Sequence, residues 1–202
     1  ADPDPPCHRV TFAPPLPLWA YPVLFATGFS AGLVDSIAGG GGVISIPVLL
    51  NFGLPPPLAL GTNKFQASFG SVTASWRYAH HGLVDFRTCR LGIALTLIGA
   101  LAGALAVQHI DPQVLGHVIP LLLTAIIVYL VIQPQIGLQD RPARLHAVAF
   151  YTIFGLGLGF YDGFFGPGTG SFWAIAFVLL LGQNLTRATA HTKVMNATSN
   201  LA

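Results

Sequence analysis

Charge is what this chain lacks most. Charged residues make up 8% of its 202 residues and hydrophobic ones 53%, against about 25% charged in ordinary globular domains. So few charges cannot keep a surface hydrated, which excludes a soluble domain. Cysteine is scarce as well. Cys7 and Cys89 are too few and too far apart for a disulfide framework or a metal cluster. The segment before Cys7, Ala1 to Pro6, is polar and Pro-rich, not the apolar stretch that a lipid-anchor signal needs. The nine Lys and Arg residues are scattered and the formal net charge is +2, so no nucleic-acid partner is expected. No Gly-x-x-x-x-Gly-Lys-Ser/Thr loop occurs, which removes the signal for an ATP-driven pump. No cofactor, metal or catalytic residue is expected.

Long apolar runs are what the chain has instead. Leu18 to Leu50 is apolar apart from Asp35, and His146 to Leu181 apart from Asp162. Leu91 to Gln108 carries no charge, and Val114 to Ile132 only His117. About 20 such residues cross a bilayer. Two weaker segments, Leu58 to Ala79 and Thr186 to Ala202, are rich in small and hydroxyl residues and carry one Lys each. They are expected to be inward-lying helices with little lipid contact. The chain is expected to be an all-α integral membrane protein, a multi-pass bundle. Its orientation follows from Arg77, Arg87 and Arg90 in one connection and Arg141 and Arg144 in another. Two spans separate these connections, so both are expected on the cytoplasmic side. Pro134 and Pro142 fit a linker over 134–145.

Two of the runs are too long for one crossing. Leu18 to Leu50 would be roughly 50 Å as a straight helix at about 1.5 Å per residue, while the hydrocarbon core is about 30 Å thick. His146 to Leu181 has the same excess. Gly39-Gly40-Gly41-Gly42 and Gly166-Pro167-Gly168-Thr169-Gly170 mark where each breaks, since glycine and proline are the poorest helix formers. Irregular backbone is tolerated at that depth only where it lines a cavity or is buried in protein. Whether each broken segment crosses once or re-enters stays open at this level.

The two segments also match each other. Gly28, Gly32, Asp35, Gly39 and Gly41 align at one constant offset with Gly155, Gly159, Asp162, Gly166 and Gly168. After a two-residue insertion, Thr62-Asn63-Lys64 aligns with His191-Thr192-Lys193. Two repeated units are therefore expected, over 18–133 and 146–202, after a polar segment over 1–17. By symmetry with the first, the second is expected to continue through about two further spans.

Gly32-Leu-Val-Asp35-Ser-Ile-Ala-Gly-Gly-Gly-Gly42, followed by Pro47 and Gly61-Thr62-Asn63-Lys64, resembles the TauE/SafE (sulfite exporter) family of membrane transporters. Gly159-Phe-Tyr-Asp162-Gly-Phe-Phe-Gly-Pro-Gly-Thr-Gly170 with His191-Thr192-Lys193 resembles that family's second signature, in its YfcA-like branch. The resemblance implies transport of small anions such as sulfite, sulfonates or related organosulfur acids. It also implies a place in the bacterial inner membrane.

The chemistry of the breaks fits an anion. A half-helix that starts after a glycine joint presents unpaired N–H groups and the positive end of its dipole. Gly39, Gly40, Gly41 and Gly42 are expected to form one such nest, and Gly166, Gly168, Thr169 and Gly170 the other, with Ser171 adding a hydroxyl. Thr62, Asn63, Lys64, His191, Thr192 and Lys193 are expected to complete the binding site. Asp35 and Asp162 either relay a proton or cation or cap the broken backbone, since membrane carboxylates are costly and usually functional. Lys64 and Lys193 either pair with an Asp or attract the anion. Two embedded Asp residues also fit an intramembrane aspartyl protease, but Asp35 follows Gly-Leu-Val where a Gly-x-Gly run would be needed. A non-transporting scaffold is the other alternative. Gly99-x-x-x-Gly103 serves helix packing, within the chain or in a homo-oligomer.

Overall fold

The computed structural model describes residues 16–37, 39–132 and 142–202. Most of the Pro-rich N-terminal segment, with Cys7, lies outside the described residues, as do Pro134 and Arg141 of the expected linker. The helices are α1 (Ala20–Ile37), α2 (Gly42–Asn51), α3 (Pro56–His80), α4 (Phe86–Gln108) and α5 (Pro112–Ile132). They are followed by α6 (Ala147–Phe164), α7 (Thr169–Leu180) and α8 (Leu185–Asn200). A π-helical turn over Tyr151–Gly155 lies within α6. No strand occurs among the described residues. α1, α4 and α6 are long and apolar enough to cross a membrane.

Both overlong segments break at their glycines, between Ile37 and Gly42 and between Phe164 and Thr169. Each then doubles back. Trp19 before α1 packs its ring 5.6 Å from that of Phe52 after α2. Likewise Leu180 at the end of α7 accepts hydrogen bonds from Arg144 N (2.8 Å) and Leu145 N (3.1 Å) ahead of α6. Both broken segments are therefore re-entrant hairpins that return to the end of the bundle where they began.

The two hairpins start from opposite ends, because the three helices α3, α4 and α5 run between them. Tyr78, Val84, Cys89, Leu145, Leu181 and Ala188 share one apolar cluster at one end. Leu50, Val107, Ile110 and Leu115 share another at the far end. Arg77, Arg87, Arg90 and Arg144 thus lie together at the first end, joined by Arg187 at the start of α8. That is the end expected to face the cytoplasm.

Small residues set how the helices approach. A methyl group on Gly163 of α6 would sit 2.0 Å from Ala100 O of α4, and one on Gly103 would sit 2.1 Å from Phe160 O. Only glycine lets the α4 and α6 backbones touch, so Gly99-x-x-x-Gly103 is an intramolecular packing motif here. α8 is an inward helix as its composition suggests, with ten of its residues from Ala188 to Ser199 buried. α3 is not. It covers one face and leaves Phe65 at 69% and Trp76 at 68% exposed. Ala59, Asn63, Ala67 and Ser71 form one buried stripe, and Phe65, Phe69 and Trp76 lie outside it.

Candidate functional site

The two joints meet inside the bundle. Gly39 and Gly40 take φ of 76° and 130°, and Gly166 and Gly168 take 96° and 80°, values that side chains other than glycine rarely adopt. A methyl on Gly39 would lie 2.9 Å from Gly170 Cα, and one on Gly42 would lie 3.2 Å from Pro167 Cγ. Each joint is thus packed directly against the other.

Asp35 caps the first joint. Its Oδ1 accepts hydrogen bonds from Gly40 N (2.9 Å) and Gly41 N (2.7 Å). Those two N–H groups, expected to face a substrate, already face a carboxylate belonging to the protein. Asp162, at the aligned position, does something else. It forms an ion pair through Oδ1 with Lys64 and accepts through Oδ2 from the Ser199 hydroxyl. Its own joint is held by the Tyr161 hydroxyl donating to Pro167 O (2.9 Å) and the Thr169 hydroxyl donating to Gly166 O (2.6 Å). Capping, one of the two roles open to both carboxylates, is observed for Asp35 alone among the described residues.

The two lysines cross the joint region in opposite senses. Lys64 of α3 reaches Asp162 of α6, and Lys193 of α8 donates to the main-chain O of Asp35 in α1. Lys193 is fully buried, beyond any snorkelling to the membrane surface. The carboxylates are bonded to separate partners, not to each other. An aspartyl protease needs two carboxylates sharing a proton, so this arrangement disfavours that chemistry.

A cavity of about 20 Å³ lies between the joints, lined among others by Asp35, Gly40, Gly42, Asn63, Asp162, Gly166, Thr169, Gly170, Asn196 and Asn200. It has room for about one water, less than a sulfur oxyanion needs. Asn63 is held there by the Ser45 hydroxyl, which donates to its Oδ1 (2.6 Å). Other expected residues lie elsewhere. Thr62 is exposed on the outer side of α3. His191 bonds Gln183 Oε1 (2.7 Å) through Nδ1 and packs against Phe177. Thr192 is buried away from the cavity with its hydroxyl unpartnered. The sequence reading missed Ser45, Asn196, Ser199 and Asn200. Asn196 and Asn200 follow Lys193 at helical spacing, the one signal that could have placed them on its face.

Paired re-entrant hairpins, meeting at glycine joints among helices that cross an apolar layer, define a multi-pass α-helical membrane protein. Comparison with known proteins narrows this. The family model for the sulfite exporter TauE/SafE matches residues 24–202, and the chain belongs to that family. It is 46% identical over 179 residues to the "Probable membrane transporter protein YfcA" of Escherichia coli (strain K12), a match covering 89% of this chain and 66% of that protein. A "Probable membrane transporter protein" of Haemophilus influenzae is 47% identical over 180 residues, with 89% and 71% covered. "Probable membrane transporter protein ORF9" of a Sinorhizobium species is 44% identical over 178 residues, with 88% and 68% covered. The chain thus spans just under two thirds of the Escherichia coli protein's length. No solved structure matches.

Proposed function

We propose that the complete protein is a secondary transporter of small sulfur oxyanions, sulfite or short sulfonates, driven by a proton or cation gradient acting at Asp35. The observation that carries this is the convergence of two hairpin joints, each crossed by a lysine from the helix of the other segment, Lys193 fully buried and Lys64 partly so. Glycine-interrupted helices meeting inside a bundle are the usual site of substrate in such transporters. The N-terminus of α7 at Thr169–Gly170 and the ammonium groups of Lys64 and Lys193 supply positive potential without a metal. The joints touch and the cavity between them is small, so the anion enters only when the hairpins part. The matched signatures, and the three helices between hairpins that start from opposite ends, support two units of inverted topology.

The test is uptake of labelled sulfite and short sulfonates by the full-length protein in proteoliposomes, with and without a pH gradient. Gradient-driven flux that is lost in Asp35→Asn supports the assignment. Undiminished gradient-driven flux in that variant removes Asp35 from the coupling path. No flux of any sulfur anion from folded protein sinks the substrate class.

A further inference from the structure

Two buried side-chain oxygens of residues that line the cavity are left without a donor. Asp35 Oδ2 and Asn196 Oδ1 are both buried and unpartnered, and both residues line the cavity. Each residue is only 8% exposed, and a buried acceptor with nothing to accept is costly. The other Asp35 oxygen is committed to the N–H groups of Gly40 and Gly41. Neither lysine relieves the orphan pair. Lys193 is directed at the main-chain O of Asp35, and Lys64 at Asp162. The space has a volume of about 20 Å³, which suits one dehydrated ion or one water.

We propose that Asp35 Oδ2 and Asn196 Oδ1 hold a sodium ion. Hard monovalent and divalent cations are bound by oxygen ligands, and both orphaned atoms are oxygens. In broken-helix transporters, coupling ions sit beside unwound backbone and the C-terminal ends of half-helices, and Asp35 lies in the last turn of α1. The charges give the ion a further role. Asp35, Asp162, Lys64 and Lys193 cancel formally. A sodium ion leaves the site with one positive charge, which an incoming anion neutralises. Binding of the two is then mutually favourable, and each raises the affinity for the other by the same factor. This rests on the anion-transport reading for its purpose, but the ion site itself can be tested without any anion.

The experiment is a sodium titration of the purified full-length protein in detergent, with choline replacing sodium at constant ionic strength. Bound ²²Na⁺ and the melting temperature are both read, with no sulfur anion present. Saturable binding near one ion per chain is expected, with a matching rise in melting temperature. Asn196→Ala should weaken the apparent affinity about tenfold or more, and Asn196→Asp should restore it. Asp35→Asn should abolish saturable binding while leaving the melting temperature in choline close to the wild-type value. A melting temperature that follows pH but not sodium overturns the proposal in favour of a proton on Asp35. Indifference to both overturns it in favour of a trapped water. Sodium binding without sulfite flux would sink the transport reading alone.

Discussion

The two joints share matched glycines and one aspartate but are held together in different ways. In the first, a carboxylate one turn before the break caps the backbone, with Asp35 accepting from Gly40 and Gly41. In the second, the aligned Asp162 ignores its own joint and reaches a lysine and a serine on other helices. One residue contributes to the difference. Gly40 aligns with Pro167, and proline has no N–H to give. With that donor missing, the second joint is tied by hydroxyls donating to carbonyls, from Tyr161 and Thr169. Its carboxylate is thereby released for an ion pair. Identical acids at matching positions thus take different roles because the backbone opposite them differs.

The strongest way to break this contrast is to remove the lysines one at a time. Lys64→Gln leaves Asp162 buried without its counter-charge, and should cost about 3–5 kcal/mol. Adding Asp162→Asn should recover most of that. Lys193→Gln removes an ammonium-to-carbonyl hydrogen bond and a charge attracted to Asp35 that is not directly paired with it, and should cost less, about 1.5–3 kcal/mol. Thermal unfolding in micelles ranks the three, and a Lys193 effect larger than that of Lys64 would contradict the assignment of roles.

The carboxylates come next. Asp35→Leu leaves two buried N–H groups unsatisfied, at about 1–3 kcal/mol each, whereas Asp35→Asn keeps a carbonyl oxygen to accept them. A large stability gap between these variants at position 35 is the signature of a cap. At position 162 both should be destabilising to a similar degree, because the partner lost there is a charge.

The smallest effects sharpen the picture at the second joint. Tyr161→Phe deletes one hydrogen bond to Pro167 O and should cost about 1 kcal/mol. Pro167→Gly should cost about 0.4–1 kcal/mol through the freer unfolded chain. If Asp162 remains with Lys64 in that variant, Tyr161→Phe on top of it should add its full cost. Less than additive loss would mean that Asp162 has turned to cap the joint.

Much of this was legible in the sequence, for reasons tied to particular residues. The glycine-rich stretches located both breaks, because four consecutive glycines at one and a proline between glycines at the other are very poor helix. Asp35 and Asp162 stood out because charge inside an apolar run has no bland explanation. Re-entry was not legible. Excess length is equally compatible with a tilted crossing, and only the pairing of Trp19 with Phe52 and of Leu180 with Arg144 decides it. The triplet Thr62-Asn63-Lys64 pointed to the right turn of α3 but overstated what faces the site. Successive helical residues are about 100° apart, so three in a row cannot all point one way. Asn196 and Ser199 were missed because small polar residues in a membrane helix ordinarily signal packing.

The glycine contact between α4 and α6 has a mechanical consequence. A helix pair joined through side chains can shift by letting rotamers move, but one joined backbone to backbone has nothing to give. α4 precedes the linker and α6 follows it, yet Gly99, Gly103, Gly159 and Gly163 fasten them as one rod. Any hinge that parts the joints must swing α4 with the second hairpin. In the proposed transport cycle the rigid pieces would therefore differ from the two stretches of sequence that resemble each other.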